Sequence, residues 1–289
     1  MIAVSIFGIL SNAAILTVIF ATKSMRNNHY FLIGSLAFND CLQSLIMSFT
    51  LLTPILRTFT GEVPQPAFVG RIVCSFKSQN AAFSIIKNSA LIITIIAIER
   101  FLAVVMPIEY KQYFTKRVCL ILASVPWLYS FTLFVIKDYF SVIVENSFCT
   151  QDYTNSVSVY FGLLNAIDYV LLQLMIPIFS YSCIAWKISS SSANSDSRKG
   201  GAVKSQAKSN ITRMLFTVTF IFIVTTFPNQ VHFMFLTNIL KSPLWEFDSV
   251  YQKISTFLVM VNVGVNFFAY PLTNSHFKSS AIKLLRCRL

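Results

Sequence analysis

Charged side chains are scarce in this sequence of 289 residues, at 12% against roughly 25% in soluble domains. Hydrophobic residues make up 55% of the chain, and its mean hydropathy is +0.65. So few charges cannot cover a water-facing surface, which disfavours soluble enzymes and secreted scaffolds. Glycine (8) and proline (9) are too rare for a disordered or collagen-like chain. The composition therefore predicts an integral membrane protein.

Several chemical motifs are absent as well. The six cysteines form no CxxC and show no metal-ligand spacing with the three histidines, so a zinc site is not expected. The motifs HExxH and GxSxG and a phosphate-binding loop are also missing, which argues against an enzyme. Lysine and arginine form no stripe, so the net charge of +12 does not indicate a nucleic-acid partner.

Seven apolar stretches reach the length of about 20 residues that a membrane-spanning helix requires. They far exceed the length of a membrane strand and lack its period-2 alternation, so they are predicted to be helices. We call them spans one to seven, at approximately 1–22, 30–56, 72–105, 118–136, 158–188, 211–240 and 249–272. The sequence thus predicts an all-α, seven-helix membrane bundle that forms a single domain over residues 1–289.

Basic residues are distributed unevenly between the loops. Sixteen of the 23 lie on one side of the predicted membrane, in the connections after spans one, three and five, in the C-terminal tail, and at the helix ends with Arg100, Lys187 and Arg213. The positive-inside rule then places the C-terminus in the cytoplasm and the N-terminus outside. Lys23 and Arg26 follow the first apolar run instead of preceding it, so span one is predicted to stay in the membrane as a helix. Almost no N-terminal tail precedes it, as in a shortened gene product.

Asp40 lies in the middle of span two, where a carboxylate is costly and therefore a functional hypothesis by default. Polar residues in three other spans could meet it, namely Asn12, Ser89, Asn262 and Asn266. Two interpretations remain open for this set. It is either an interhelical hydrogen-bond network or a site of oxygen ligands for a small cation, for which we expect Na⁺.

Short motifs recur in order along the seven spans. They are Asn12, Leu36-Ala37 with Asp40, Ile98-Glu99-Arg100-Phe101 followed by AVVMPIEY, Trp127, Pro177, Phe222 with Pro228, and Asn266 with Tyr270. Their order and spacing resemble the rhodopsin-like G-protein-coupled receptors over essentially the whole chain. Residues 274–286 resemble the family's short amphipathic cytoplasmic helix.

The resemblance implies a plasma-membrane receptor, surrounded by lipids, that binds an extracellular ligand and activates a heterotrimeric G protein. It assigns G-protein coupling to Glu99, Arg100, Phe101, Pro107 and Tyr270, and an activation hinge to Pro177, Phe222 and Pro228. It further implies a disulfide between Cys74 and Cys149, palmitoylation of Cys287, and a ligand pocket that includes Lys87 and Thr226.

The sequence departs from the family pattern at several positions. Thr226 replaces the tryptophan of span six, Phe267 the proline of span seven, and Ala185 a tyrosine of span five. Lys208 lies where some members have an acid that pairs with the span-three arginine. Glu99 is then the remaining partner of Arg100. These differences indicate a divergent member of the family.

The ligand class is constrained mainly by what the pocket region lacks. Amine receptors of the family carry an aspartate where this chain has Ala82, and span seven has no mid-helix lysine for retinal. Lys87 either pairs with Asp168 or contacts an acidic ligand group. The charges and aromatic residues of the outer loops favour a peptide over a small environmental chemical. A channel or transporter is the competing class, but no inverted repeat is apparent.

Overall fold

The computed structural model of the chain describes residues 1–60, 80–145, 148–151, 156–193, 199–231 and 250–286. Seven helices in these ranges are long and apolar enough to cross a membrane, which confirms the predicted helical bundle. The observed spans are Ile2–Ala21, Asn28–Leu52, Ala81–Val105, Lys116–Phe140, Gly162–Ser190, Thr212–Val231 and Val250–Thr273. The predicted ends of spans three and six, at 72–79 and 232–240, lie outside the described residues.

Several helices continue beyond their apolar spans. The helices of spans two, three, four and six are Asn28–Thr60, Asn80–Val105, Lys116–Ser141 and Lys199–Val231. Span five is composed of two α-helical segments, Ser156–Asp168 and Ile176–Ala193, joined by the π-helical turn Tyr169–Met175. Short helices at Lys23–Met25 and Pro107–Tyr113 follow spans one and three.

A small hairpin lies between spans four and five, which the sequence analysis did not anticipate. Strand β1, Val142–Glu145, pairs antiparallel with strand β2, Phe148–Gln151. The run Val-Ile-Val in β1 favours a strand because β-branched side chains fit a pleated surface. The all-α prediction therefore holds for the membrane part, and the hairpin is an addition to it.

The main apolar core takes residues from all seven spans, including Cys119 and Ala123 of span four, and lies towards the end of the bundle that holds Arg100. Leu32, Ile92 and Met214 are fully buried there. The outward-facing surface is also rich in large apolar side chains, among them Leu128 and Trp186. A helix that is apolar on all sides requires a membrane around it, in agreement with the composition.

A cap separates span seven from the last helix, Ser275–Leu285, which lies where the amphipathic helix was predicted. Asn274 Oδ1 accepts hydrogen bonds from the backbone N–H groups of His276 and Phe277, at 3.0 and 3.2 Å. Asparagine is a preferred N-cap because its side chain satisfies amides that have no helical partner. The chain can therefore turn sharply at Asn274 and start a new helix.

Candidate functional site

Glu99 and Arg100 form a buried ion pair at the C-terminal end of span three. Arg100 Nε donates to Glu99 Oε2 at 2.5 Å, and Arg100 Nη2 donates to Glu99 Oε1. Glu99 is fully buried and Arg100 nearly so. This two-pronged contact satisfies both charges within one helix, as charged groups away from water require. The expected local partnership of Arg100 with Glu99 is thus observed.

Two further segments contact the Glu99 carboxylate. The Tyr110 hydroxyl, in the helix Pro107–Tyr113, donates to Glu99 Oε1 at 2.7 Å. His29 Nδ1, at the start of span two, lies 3.3 Å from Glu99 Oε2. Burial and the neighbouring Glu99 carboxylate raise the pKa of Tyr110, so its hydroxyl remains a donor. The carboxylate therefore connects span three with span two and with the loop after span three.

The loop after span three is fastened by other contacts as well. Pro107 opens its short helix, a position where the missing N–H has no cost. Asn28 Nδ2 donates to the carbonyl of Phe114 at 2.7 Å, which ties the loop to span two. These contacts hold Tyr110 in place beside Glu99. Phe101 lies in the helix of span three itself and packs against Phe179 of span five, with ring centroids 6.0 Å apart.

Asp40 is buried at the centre of a polar network between spans two, three and seven. Ser89 Oγ donates to Asp40 Oδ1 at 3.0 Å, and Asn266 Nδ2 donates to Asp40 Oδ2 at 2.9 Å. Each carboxylate oxygen thus has a donor from a different helix. The structure brings three of the five predicted residues into direct contact.

The other two predicted residues bond elsewhere. Asn262 Nδ2 donates to Thr225 Oγ1 of span six at 2.6 Å, one helical turn away from Asn266. Asn12 Nδ2 donates to the carbonyl of Val263 at 2.8 Å, and Asn12 Oδ1 is buried without a hydrogen-bond partner among the described residues. The five residues therefore join spans one, two, three, six and seven but do not surround a single point.

The donor set at Asp40 is compatible with a weakly held monovalent cation. It offers one carboxylate and one hydroxyl oxygen, the ligand type that hard cations prefer. In the described part of the chain, no group of three or more His, Cys, Asp or Glu residues could hold a metal. Among the described residues, the Asp40 carboxylate would therefore be the one charged ligand of an ion bound there.

Asn39 and Asn88 extend this network and were not predicted. Asn39 Nδ2 donates to Ser89 Oγ at 2.5 Å, and Asn88 Nδ2 donates to Asn39 Oδ1 at 2.6 Å. Both are amides inside apolar helices, adjacent in sequence to Asp40 and Ser89. A search for every amide within the spans, and not only for charges, would have identified them.

Lys87, two turns into span three, forms the ion pair that the sequence offered as one of its alternatives. Lys87 Nζ lies 2.5 Å from Asp168 Oδ2 in span five and donates to Asn165 Oδ1 at 2.8 Å. The hydroxyl of Tyr129, in span four, donates to the same Asp168 oxygen at 2.7 Å. Lys87 Nζ also lies 5.4 Å from the centre of the Tyr129 ring.

A small cavity of about 50 Å³ adjoins Lys87 between spans three, four, five and six, and it opens into a wider mouth. Its described lining residues are Phe83, Ile86, Lys87, Lys137, Asn165, Gln173, Asn229 and Gln230. Thr226, predicted to line the pocket, is not among them. It is buried, and its Oγ1 donates to the carbonyl of Phe222 in its own helix at 2.7 Å.

The predicted hinge residues lie at irregular places in spans five and six. Pro228 lies inside the continuous helix of span six, near its described end, and its carbonyl accepts a hydrogen bond from the Tyr251 hydroxyl at 2.8 Å. Pro177 follows the π-helical turn of span five, where Thr94 Oγ1 donates to the carbonyl of Leu172 at 2.7 Å. Such neighbouring side chains satisfy carbonyls that a regular helix would bond internally.

The remaining predicted residues divide between buried and undescribed positions. Phe222 is buried in the core, and Tyr270 is buried against Phe277 with ring centroids 5.6 Å apart. Cys74 and Cys287 lie outside the described residues. Cys149 lies in strand β2, and its pairing with Cys74 remains a prediction.

Comparison with known proteins places the chain in a family. The model of the 7 transmembrane receptor (rhodopsin family) matches residues 11–270. The G-protein coupled receptor homolog Q2/3L of Sheeppox virus is 24% identical over 97% of this chain and 70% of its own length. The QRFP-like peptide receptor of Branchiostoma floridae is 24% identical over 97% of this chain and 75% of its own length.

A third relative matches only in part. The 5-hydroxytryptamine receptor 1A-beta of Takifugu rubripes is 31% identical over 46% of this chain, and the match spans 29% of the fish receptor. The family match, in contrast, extends from the middle of span one to near the end of span seven and includes Asp40, Lys87 and Arg100. The chain therefore belongs to the rhodopsin family of seven-transmembrane receptors, which are multi-pass signalling proteins and not enzymes.

Proposed function

We propose that the chain is a plasma-membrane receptor, with an outer N-terminus and a cytoplasmic C-terminus, that activates a heterotrimeric G protein when an extracellular ligand binds. The distribution of basic residues supports this orientation, because it favours the connections next to Arg100. The helix Ser275–Leu285 would then lie along the inner lipid surface, with a palmitoyl group on Cys287 as a second anchor.

The Glu99–Arg100 pair is the observation that carries this proposal. Arg100 is held by a neighbour on its own helix, so it can be released without any change in the helical backbone of span three. A freed guanidinium would meet carbonyl groups at the C-terminal end of a G-protein helix, where the helix dipole attracts a positive charge. Phe101, Pro107 and Tyr270 support that surface.

Activation is a shift in population between closed and open arrangements of the helices. A ligand that binds the open arrangement more tightly increases its occupancy. Pro228 provides the point at which span six can bend, because it removes one backbone hydrogen bond. The bond from Tyr251 to the Pro228 carbonyl makes span seven sensitive to that bend. Phe222 and Pro177 are the other two predicted hinge residues, and they lie in spans six and five.

We propose a peptide as the ligand. The Branchiostoma floridae relative is named a receptor for a QRFP-like peptide, and its match extends over 97% of this chain. The relative named for 5-hydroxytryptamine matches over 46%, and Ala82 lies where an amine receptor would need an aspartate. A small environmental chemical is the alternative ligand that the same receptor architecture allows.

The test is nucleotide exchange on G proteins in membranes from cells that express the full chain. Peptide libraries, amines and small volatile molecules are applied in separate sets. We expect exchange to be stimulated by members of the peptide set. Absence of exchange with every set and every G protein, together with ion or solute flux across the same membranes, would contradict a receptor and favour a channel or transporter.

A further inference from the structure

The described lining of the cavity beside Lys87 offers cationic and amide donors. Two ammonium groups, those of Lys87 and Lys137, belong to it. Each lysine also has a carboxylate neighbour, since Asp168 is paired with Lys87 and Asp138 adjoins Lys137 in sequence, but neither acid is among the described lining residues. The other polar lining groups are amides, and Phe83 and Ile86 provide apolar surface. Such a wall favours an anionic group with an apolar neighbour.

Lys87 is positioned by its partners and has bonding capacity left. Its Nζ has three hydrogens, and two of them are accounted for by Asp168 Oδ2 and Asn165 Oδ1. The Tyr129 hydroxyl holds the same carboxylate oxygen at 2.7 Å, which fixes the position of Asp168. The third hydrogen of Lys87 is therefore available to a ligand without rupture of the ion pair.

Gln173 adds a second, independent indication of a ligand. Its side chain lines the cavity, the residue is 7% exposed, and its Oε1 has no hydrogen-bond partner among the described residues. A buried acceptor without a donor costs free energy, about 1–3 kcal/mol in general. A ligand that brings an N–H group to this oxygen removes that cost.

We propose that the cavity binds the free C-terminal carboxylate of a peptide ligand. This inference rests on the proposed function. The last residue of a peptide presents a carboxylate and, on the same Cα, its own amide N–H. The carboxylate is bound by Lys87 and Lys137, the N–H donates to Gln173 Oε1, and the last side chain packs on Phe83 and Ile86. The receptor is accordingly selective for peptides with a free carboxyl end over amidated ones.

Asp168 has a definite role in this arrangement, which separates it from a merely structural ion pair. Its carboxylate neutralises part of the charge of Lys87 and so competes with the ligand anion. Asp168→Asn should therefore increase the affinity for a carboxylate, whereas Lys87→Met should abolish it. A pair that served only to hold spans three and five together would lose binding in both variants.

The experiment uses the purified full chain in detergent and two probes, N-acetyl-dileucine with a free carboxyl group and its C-terminal amide. At about ten times Kd, we expect the acid to raise the melting temperature by about 3 °C and the amide to leave it unchanged. The increase should disappear in Lys87→Met and Gln173→Leu. It should persist in Lys253→Met, a matched control because Lys253 lies at the start of span seven and is not a lining residue.

Specific results would overturn the proposal. Equal increases with acid and amide would show that the carboxylate is not recognised, as would a full increase in Lys87→Met. Butyrate, used as a third probe, would assign the cavity to small carboxylates if it matched the dipeptide acid. Should Lys87→Met fail to fold, Lys137→Met and Gln173→Leu provide the same test. Because binding is measured without a G protein, a failure of nucleotide exchange would refute only the proposed function.

Discussion

Two ion pairs lie on span three, one buried and one partly buried, and they differ in where the partner comes from. Glu99 and Arg100 are adjacent on one helix, whereas Lys87 reaches across to Asp168 in span five. The first pair can open while all helices stay in place. The second can open only if two spans separate or a side chain turns away. The first is therefore suited to switching, and the second to holding the bundle and shaping a binding site.

The two pairs also share a feature. In each, a tyrosine hydroxyl donates to the carboxylate at 2.7 Å, from Tyr110 to Glu99 and from Tyr129 to Asp168. Tyr110 belongs to a short loop helix, while Tyr129 belongs to span four. The same anchoring chemistry thus depends on a loop at one pair and on a membrane helix at the other. Substitutions at both pairs can test whether this difference matters.

Arg100→Ala should have the largest effect. We expect loss of G-protein nucleotide exchange with dipeptide-acid binding retained, because Lys87 lies thirteen residues earlier, about 20 Å along the helix. Exchange and thermal-shift measurements on the same preparation test this. Arg117→Ala, an exposed arginine at the start of span four, is the matched control. Retained exchange in a well-expressed Arg100→Ala receptor would refute the coupling role of this residue.

Lys87→Met should destabilise the fold by about 3 kcal/mol, because it leaves Asp168 buried without its cation. The double variant Lys87→Met with Asp168→Leu should recover most of that loss, since no uncompensated charge remains. Thermal unfolding of both variants and of the wild type measures the difference. If the double variant were less stable than Lys87→Met, the pair could not be the source of the loss.

Tyr110→Phe should raise basal nucleotide exchange by about fivefold. It removes one hydrogen bond to the Glu99 carboxylate, and bonds to charged groups contribute about 1.5–3 kcal/mol. Tyr129→Phe removes the equivalent bond at the other pair and should leave basal exchange near the wild-type value. An equal rise in both variants would mean that the two tyrosines act through general stability and that the comparison between the pairs fails.

Asp40→Asn should have the smallest effect, confined to the response to salt. If Na⁺ binds at Asp40 in the closed arrangement, raising Na⁺ should weaken agonist binding severalfold in the wild type by linkage. The neutral variant should lose that dependence. Agonist binding in NaCl against the same concentration of choline chloride provides the comparison. A salt response of the same size in Asp40→Asn would leave a hydrogen-bond network as the only role of this cluster.

The features that can be predicted from the sequence are those determined by the cost of removing charged and polar groups from water. Hydropathy predicts all seven spans, and the cost of a charge in the membrane singles out Asp40 and offers the Lys87–Asp168 pair as one of two alternatives. In both cases an isolated charge in lipid is so unfavourable that few arrangements remain. Partners for such groups can be proposed from polarity alone.

The features that the sequence does not predict depend on the direction in which a side chain points and not on its polarity. The amide of Asn262 could bond towards Asp40 or towards span six, and only helix packing selects Thr225. Tyr110 reaches Glu99 because Pro107 starts a helix that folds back on span two. Gln173 lies in the cavity because of the local winding of span five. Sequence patterns describe which groups need partners but not the angle at which two helices meet.

The π-helical turn in span five has a further consequence, for sequence alignment. Tyr169, Gln173, Pro177 and Tyr181 are all buried and follow one another at intervals of four residues. In an α-helix each such step would drift by about 40°, so the fourth residue would point about 120° away from the first. The wider turn takes up one surplus residue and keeps the four on one side. A relative without that turn would be out of register by one position on one side of it, and an ungapped alignment would equate lipid-facing residues with buried ones.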